Sequence, residues 1–306
     1  MRICLITPRP DHPLLAATAA LLAADHRVET LDPAGGGGTP PAERIGPGPL
    51  ADVYLLKART PQALALARHL EERGAPVINS AAATEFCQDR SAMAELANRA
   101  GLPFAATCTA EDLVDLAEGL WDSDYPVVVK SRHSRRGDLV ARADGPDRLL
   151  ELAARWPDEP VIAQPYVANT GWDQKIWVVD GQLFCERRRS ELAVDEQPAE
   201  GRFGPADLPA DRAAAALRTG EVFGLDVYGV DLLDGPAEPV VVDINAFPGI
   251  RGQAGAPEAL AALALRTARG APPRTPSLPY RPPTVCWSCG PDLPGQRDAP
   301  PRTAGR

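Results

Sequence analysis

The stretch Tyr228–Gly252, YGVDLLDGPAEPVVVDINAFPGIRG, places polar side chains inside two apolar runs that otherwise have the composition of buried strands. Asp231 interrupts the first run, and Asp243 and Asn245 interrupt the second. Side chains two residues apart on a strand share a face, so Asp243 and Asn245 point the same way. Asp231 joins them if the hairpin pairs residue 231 with residue 243. The stretch therefore predicts three oxygen donors on one face of a hairpin.

Two carboxylates and an amide oxygen are ligand types that hard divalent cations prefer, and Mg²⁺ usually completes its coordination with water and nucleotide phosphates. A solvated hairpin whose polar face meets water would show the same pattern. Spacing alone leaves both alternatives open.

The composition is that of a soluble protein with more than one domain. The chain has 306 residues, of which 44% are apolar and 24% are charged, enough for a sizeable core in two or three packed domains. Its net charge of −9 argues against broad binding to the phosphate backbone of nucleic acid, which needs clustered Lys and Arg. We therefore expect no nucleic-acid partner.

The N-terminal sequence MRICLITPRP indicates a short strand and lacks the long apolar stretch of a signal peptide. The longest run of low polarity, Pro13 to Ala24, is too short to span a bilayer. We expect a cytoplasmic protein that does not bind membranes.

The first third of the chain alternates strand and helix patterns. The segment 60–74 carries its own helix boundaries, with Thr60 as N-cap, Pro61 in the first helical position and Gly74 just past the end. Strand–helix repetition at this spacing predicts a parallel sheet covered on both faces. We assign residues 1–86 to an N-terminal α/β domain.

The rest of the chain mixes helices with hairpins. Asp180-Gly181 between two strand patterns is a strong hairpin signal, and the segment from Gly270 onward is rich in Pro and Arg with little periodicity. Helices are predicted at 88–100, 146–155, 208–223 and 257–269. The expected domains are a central one at 87–164, a C-terminal one with the metal site at 165–270, and a disordered tail at 271–306.

Lys130 ends the apolar strand PVVVK, where its ammonium group can project over the phosphates of a ligand. The loop SRHSRRGD, residues 131–138, follows it and is rich in arginine. The loop either closes over anionic groups or is simply solvated.

These motifs occur in an order that resembles the ATP-grasp superfamily, and most closely its RimK-type, glutamate-ligase-like branch. The resemblance covers roughly Gln88 to Gly252, and its most specific part is the Gly-Val-Asp and Asp-Ile-Asn…Pro-Gly pair of strands in residues 226–250. It implies an α/β protein with an α+β catalytic part, that is, an ATP-grasp fold preceded by a parallel-sheet pre-ATP-grasp domain.

Carried over residue by residue, the resemblance implies a nucleotide site, a metal site and a phosphoryl-transfer site. Lys130 and Arg189 match the residues at the transferred phosphoryl group, and Lys130 also contacts the nucleotide phosphates. The other nucleotide residues are Gln164, Pro165, Tyr166, Val167, Asp173 and Lys175. The metal ligands are Asp231, Asp243 and Asn245, which implies ATP with two Mg²⁺ ions, for which Mn²⁺ can substitute.

The sequence departs from the family pattern in three places. The family usually has Glu where Asp243 stands, and its loop after the lysine is usually glycine-rich, whereas this loop offers only Gly137. The Arg-Ser-Asn stretch of the glutamate ligases is absent, with only Arg202 in its place. The nucleotide chemistry therefore transfers better than the substrate.

The resemblance implies an Mg²⁺-dependent ligase that joins a carboxylate, as of an amino acid or peptide, to an amine through an acyl phosphate. Its partners are then ATP and a small-molecule or peptide substrate. A small-molecule kinase on the same fold, similar to the inositol-phosphate kinases, is the alternative enzyme, and a non-catalytic nucleotide-binding module is a third class. A homodimer is compatible with this branch, but no sequence feature requires one.

Two further motifs give weaker indications of function. The pair Cys286 and Cys289 is a single Cys-x-x-Cys, and zinc needs four ligands. The run Gly35–Gly38 is not followed by a helix-opening motif or a lysine, so it is interpreted as a loop and not as a phosphate cradle.

Overall fold

The computed structural model describes residues 1–35, 43, 45–46, 48–190, 192–193, 203–235 and 238–278. Within these residues the strands form three four-stranded sheets, one after another along the chain. The strands are β1 Arg2–Ile6, β2 Arg27–Leu31, β3 Val53–Leu56, β4 Val77–Ile78, β5 Cys108–Ala110, β6 Val127–Ser131, β7 Val140–Ala143, β8 Val161–Pro165, β9 Trp172–Val179, β10 Gln182–Arg189, β11 Val227–Leu233 and β12 Val241–Ala246. The α-helices are labelled α1 Pro13–Leu22, α2 Pro61–Glu72, α3 Ala81–Phe86, α4 Arg90–Arg99, α5 Leu113–Gly119, α6 Pro146–Ala153, α7 Ala210–Phe223 and α8 Ala256–Ala268.

The first sheet is parallel and has the strand order β2-β1-β3-β4, as the strand–helix alternation predicts. Both of its faces are covered. Ile3 and Leu5 of β1 pack into one buried cluster with α1 and α8, while Cys4 and Ile6 pack into another with α2. Successive side chains of a strand point to opposite faces, so a run of apolar residues is what a doubly covered strand requires.

The boundaries of α2 follow their predicted signals. The hydroxyl of Thr60 accepts a hydrogen bond from the backbone N–H of Ala63 (3.2 Å), and Pro61 is the first helical residue. Gly74 has φ +82°, the left-handed conformation that ends many helices.

The second sheet has the order β5-β8-β6-β7, and all its neighbours are antiparallel. Val127 and Val129 of β6 are buried in its core, and Lys130 follows them at the carboxyl-terminal half of the strand. Strand β5 and helix α5 are not predicted from the sequence, because three and seven residues are too short to show a period.

The third sheet has the order β10-β9-β11-β12 and is also antiparallel. Asp180 and Gly181 connect β9 to β10 with φ angles of +50° and +83°, the positive pair that a two-residue hairpin of type I′ requires. The predicted hairpin is therefore confirmed.

Two helices pack outside the sequence region in which they occur. Residues of α4, including Met93 and Leu96, are buried with the third sheet and not with the second. Leu260 and Leu263 of α8 are buried with the first sheet and α1, in a cluster that also contains Trp177 and Val179 of the third sheet. Helix packing therefore connects the three sheets, in addition to the loops between them.

The first part of the predicted tail, residues 271–278, is bonded to the rest of the chain. Ser277 donates its backbone N–H to the carbonyl of Val222 (2.9 Å), and the backbone N–H of Arg274 donates to the Asp226 carboxylate (3.0 Å). The remainder of the tail, with Cys286 and Cys289, lies outside the described residues. Within the part of the chain that is described, no helix combines the length and the apolar character needed to cross a membrane.

Candidate active site

One face of the third sheet gathers the acidic and amide side chains of the opening stretch. Asp231 of β11 stands directly opposite Asp243 of β12, in the register that the sequence predicts. Asn245 is two residues along β12, and its Nδ2 donates to Asp243 Oδ2 (3.2 Å). Lys175 of β9 is the partner of Asp231 on the other side. The three predicted oxygen donors are therefore on one face and adjacent.

These residues form one wall of a cavity of about 290 Å³ between the second and third sheets, here called the first cavity. All of the predicted site residues except Arg189 line it. They are Lys130, Gln164, Pro165, Tyr166, Val167, Asp173, Lys175, Asp231, Asp243 and Asn245. Residues that lie more than 100 positions apart in the sequence thus share one concave surface.

The structure does not bring Arg189 to the first cavity. Arg188 is the residue of β10 that lies opposite Asp173, and Arg188 lines the cavity. Arg189 is on the other face of the sheet, where its guanidinium lies 5.5 Å from the centroid of the Trp172 ring. Because strand side chains alternate between faces, an assignment shifted by one residue selects the wrong side.

Asp243 is surrounded by cations. Burial alone would raise the pKa of its carboxyl, but the charges of Arg90, Lys130 and Lys175 outweigh burial and hold the pKa below its usual range. Arg90 Nε lies 3.5 Å from Asp243 Oδ1, and the same guanidinium donates through Nη1 to Asp138 (2.7 Å). Asp243 is therefore an ionised carboxylate. Sequence reasoning missed Arg90, since nothing near it in the chain signals a distant partner.

Lys130 is buried at the boundary between the second and third sheets. Its Nζ donates to the carbonyl of Val242 (2.8 Å), which ties β6 to β12. Burial lowers the pKa of Lys130, although the charges of Asp243, Asp231 and Asp173 oppose that effect.

The acidic residues have oxygens suited to a hard cation. Asp173 Oδ1 and Asp243 Oδ1 are buried and accept no hydrogen bond from the described residues, although Asp243 Oδ1 lies 3.5 Å from Arg90 Nε. Buried oxygens that stay unsatisfied are costly, and a divalent cation satisfies several at once. Among the residues that the structure describes, no cluster of three His, Cys, Asp or Glu side chains could hold a metal; the set here is two carboxylates and the Asn245 amide. This donor set fits Mg²⁺, which takes oxygen ligands and keeps several waters.

The opposite end of the first cavity is apolar. Val128, Val140 and Leu233 line it together with Tyr166 and Val167. Gln164 is buried there, and its Nε2 donates to Thr107 Oγ1 (3.1 Å). The cavity thus pairs an apolar end with a charged end, as a site for an amphipathic ligand requires.

Two carboxylates from outside the arginine-rich loop 131–138 bind its arginines. Arg132 donates to both oxygens of Asp89 (3.0 and 2.8 Å), and Arg135 donates to both oxygens of Glu159 (2.6 and 2.7 Å). Arg135 nevertheless lines the first cavity, as do Ser134 and Asp138. The loop lies over the cavity, and its fork-shaped ion pairs fix its position.

A second cavity of about 620 Å³ opens beside the charged end of the first. It lies between residues that follow β1 and β3 in the first sheet and the loop that follows β12. Four residues line both cavities: Arg59, Lys175, Arg188 and Asn245. The two cavities therefore meet at three basic side chains and at Asn245.

Comparison with known proteins finds relatives that are named as alpha-L-glutamate ligases. The model of the RimK-like ATP-grasp domain matches residues 88–258. The chain is 27% identical over 192 residues to the coenzyme gamma-F420-2:alpha-L-glutamate ligase of Methanococcus maripaludis, covering 60% of this chain and 67% of that protein. It is also 27% identical over 201 residues to a probable alpha-L-glutamate ligase of Syntrophotalea carbinolica, covering 61% and 65%. The matched segment thus spans about two thirds of each relative.

Solved structures share the fold. A RimK domain protein ATP-grasp from Sphaerobacter thermophilus superposes with a TM-score of 0.67 at 23% identity, covering 87% of this chain and all of that one. The D-alanine–D-alanine ligase from Bacillus anthracis superposes with a TM-score of 0.63 at 15% identity, covering 88% and 99%. The predicted ATP-grasp fold is confirmed.

The matched residues 88–258 contain all the described residues that line the first cavity except Arg59. The proteins that match along the sequence are named as ligases, in agreement with the enzyme class expected above. This chain belongs to the RimK-like ATP-grasp domain family.

Proposed function

We propose that the protein is an Mg²⁺- and ATP-dependent ligase that joins a carboxylate to an amine through an acyl phosphate. One observation carries the proposal: the two cavities share Arg59, Lys175, Arg188 and Asn245. A nucleotide in the first cavity would then end where an acceptor in the second begins. Phosphoryl transfer needs such an end-to-end arrangement.

The nucleotide would lie with its base at the apolar end, near Tyr166 and Val167, and its phosphates at Lys130 and Lys175. Asp231, Asp243 and Asn245 would hold the cation, with Asp173 adjacent. When bound, Mg²⁺ supplies charge neutralisation at the β- and γ-phosphates. Asp231 is paired with Lys175 in the structure, Nζ to Oδ2 at 2.7 Å, so nucleotide binding would redirect that lysine toward the phosphates.

Activation would begin with an acceptor carboxylate in the second cavity. Its oxygen attacks the γ-phosphorus, the bond between that phosphorus and the ADP oxygen breaks, and ADP leaves. Arg188 lies on the site face beside Asp173 and would stabilise the charge that develops on the transferred group. The phosphorylated carboxylate is an acyl phosphate.

Ligation would follow when an amine attacks the carbonyl carbon. The bond from that carbon to the phosphate oxygen breaks, inorganic phosphate leaves, and the amine nitrogen loses a proton. Water would compete with the amine, so the intermediate must be shielded. The loop 131–138 over the first cavity is positioned to exclude water, and the ion pairs from Arg132 to Asp89 and Arg135 to Glu159 hold it there.

The test is product analysis with hydroxylamine as a trap. The protein is incubated with Mg²⁺, ATP and a panel of amino acids, short acidic peptides and polyol phosphates, with and without hydroxylamine. The proposal predicts ADP and phosphate in equal amounts, with a hydroxamate formed only when a carboxylate acceptor is present. A phosphorylated alcohol as the product would overturn the ligase in favour of a kinase.

The matched control is a pair of isosteric substitutions. Asp243→Asn removes a charge from the proposed metal site, whereas Asp25→Asn removes one from an exposed residue. Hydroxamate formation should be lost in the first and kept in the second. Equal activity in both would exclude the assigned metal site.

A further inference from the structure

The second cavity is strongly cationic. Six basic residues line it, and among the described residues Glu186 is the only acid in its wall. Three of the basic residues, Arg59, Lys175 and Arg188, also face the first cavity and form the shared set. The other three, Arg9, Lys57 and Arg251, line only the second cavity and form the remote set.

The remote set is without counter-ions in the described part of the chain. No carboxylate there lies within 4.0 Å of Arg9, Lys57 or Arg251, although the same structure pairs many of its other arginines. Lys57 Nζ instead donates to the carbonyls of Phe247 (2.9 Å) and Pro248 (2.8 Å). Lys57 is partly buried and Arg9 and Arg251 are exposed, so the three cations present positive charge to the cavity that an anionic ligand would complement.

Two titratable groups respond to the same positive field. Burial, followed by the charges of Arg9, Arg251 and Arg59, lowers the pKa of Lys57 to about 7. Burial, followed by the charges of Lys57, Arg251 and Arg9, lowers the pKa of His12 to about 4. His12 lines the same cavity, and its Nδ1 is buried with no hydrogen-bond partner in the described chain.

Gly249 lacks the side chain that would crowd His12 and Arg251 in the wall of the second cavity. A Cβ at that position would lie 3.0 Å from His12 Nε2 and 3.9 Å from Arg251 Nε. A side chain there would displace His12 by a few tenths of an ångström, since 3.0 Å is shorter than ordinary van der Waals contact. The glycine therefore permits a polar group and a cation to reach the cavity together.

We infer that the acceptor is a small acid with at least two anionic groups. Resting on the proposed function, the inference places the reacting carboxylate at the shared set, beside the proposed phosphoryl group. The second anion, a carboxylate or a phosphate, is bound at the remote set. The shared set and the remote set contain three basic residues each. A single carboxylate bound at the shared set would therefore leave the charge of the remote set unmatched.

The test is a binding series in the presence of Mg²⁺ and a non-hydrolysable ATP analogue, measured by calorimetry on the full chain. The probes are succinate and glutarate, the monoacids butyrate and valerate as length-matched controls, and 3-phosphonopropionate to distinguish phosphorus oxyanions from carboxylates. The best diacid or phosphono acid should bind at least about tenfold more tightly than the matched monoacid.

The variants are Arg9→Gln and Arg251→Gln, both at exposed positions, with Arg155→Gln as the exposed control. The first two should reduce affinity for the diacid about tenfold or more and change monoacid affinity little. Arg155→Gln should leave both unchanged. A mere loss of folding would lower both affinities together.

The outcomes separate this inference from the function on which it rests. If the ATP analogue binds but diacids and monoacids bind equally, the dianionic acceptor is excluded while the ligase stands. If the ATP analogue itself does not bind, the proposed function fails first. Diacid preference that survives both arginine substitutions overturns the remote set.

Discussion

Arg188 and Arg189 are adjacent in β10 but lie on opposite faces of the third sheet. Arg188 faces Asp173 and the first cavity, whereas Arg189 packs against Trp172. Two arginines with the same charge and nearly the same position therefore have different surroundings. Their contrast provides an internal control for the proposed phosphoryl-transfer site.

Arg188→Gln should lower kcat/KM for ATP-dependent turnover by about 100-fold, the order of magnitude for losing a charge-stabilising donor. Arg189→Gln should change it by less than about threefold, because its guanidinium contacts only the far side of the sheet. Steady-state kinetics on both purified variants checks the pair. The reverse ranking would restore the original assignment of Arg189.

Asp243→Asn should reduce turnover by on the order of 100-fold and weaken Mg²⁺ binding, because the remaining donors carry less charge. Titration with Mn²⁺ as a spectroscopic substitute measures the binding, and the melting temperature is recorded in parallel. Since Asp243 also faces Arg90, a decrease in stability is expected. Unchanged Mn²⁺ affinity in a folded variant would contradict the ligand assignment.

Lys130→Met should raise KM for ATP about tenfold or more, because the proposed nucleotide phosphates would lose the positive charge of the Lys130 ammonium group. The free energy of unfolding should fall by no more than about 1 kcal/mol, because losing the bond to Val242 is offset by no longer burying a charge. Kinetics and urea unfolding measure the two effects. An unaltered KM would remove Lys130 from the nucleotide site.

Asn79→Ala should destabilise the protein by about 2 to 4 kcal/mol. The buried Asn79 side chain donates to the carbonyl of Val227 (2.6 Å) and accepts from the N–H groups of Asp226 (2.9 Å) and Val227 (3.0 Å). Removing it leaves the N–H groups of Asp226 and Val227 without their partner between the first and third sheets, whereas the Val227 carbonyl still accepts from the N–H of Phe247 (2.9 Å). Urea denaturation measures the loss, and Asn98→Ala at an exposed helical position is the control.

Stability should depend on pH through Lys57. Its pKa is about 7 in the folded chain, below the ordinary value of 10.5, so the unfolded chain binds more protons between those values. Stability contributed by this group must then increase as pH rises from about 7 toward 10. The difference in unfolding free energy between wild type and Lys57→Met should therefore grow in favour of wild type over that range. A difference that is flat from pH 7 to pH 9 would show that the Lys57 pKa is not lowered.

Local signals predicted much of the fold. The caps of α2 and the turn at Asp180-Gly181 appear where the sequence places them, because both depend on residues that are neighbours in the chain. Helix α3, with six residues, and α5, with seven, were missed because neither spans enough turns to show a hydrophobic period.

The candidate site was predictable where strand alternation decides it. Alternation places Asp243 and Asn245 on one face, and Asp231 joins them because the hairpin pairs it with Asp243, the condition that the sequence left open. Arg188 was missed because its face depends on how β10 pairs with β9, and the side-chain alternation reverses with a shift of one residue. Arg90 and the remote set were not predicted for another reason. Only tertiary packing brings Arg90 to Asp243 and the three residues of the remote set to one cavity.

The packing of α8 against α1 has a practical consequence for protein engineering. A chimera built by cutting near residue 86 and replacing only the leading segment would leave α8 facing a foreign surface. Because Lys57 also bonds to Phe247 and Pro248, the boundary between the two parent sequences would run through the wall of the second cavity. Grafting a new specificity into this scaffold therefore requires transplanting residues 1–86 together with residues 247–268.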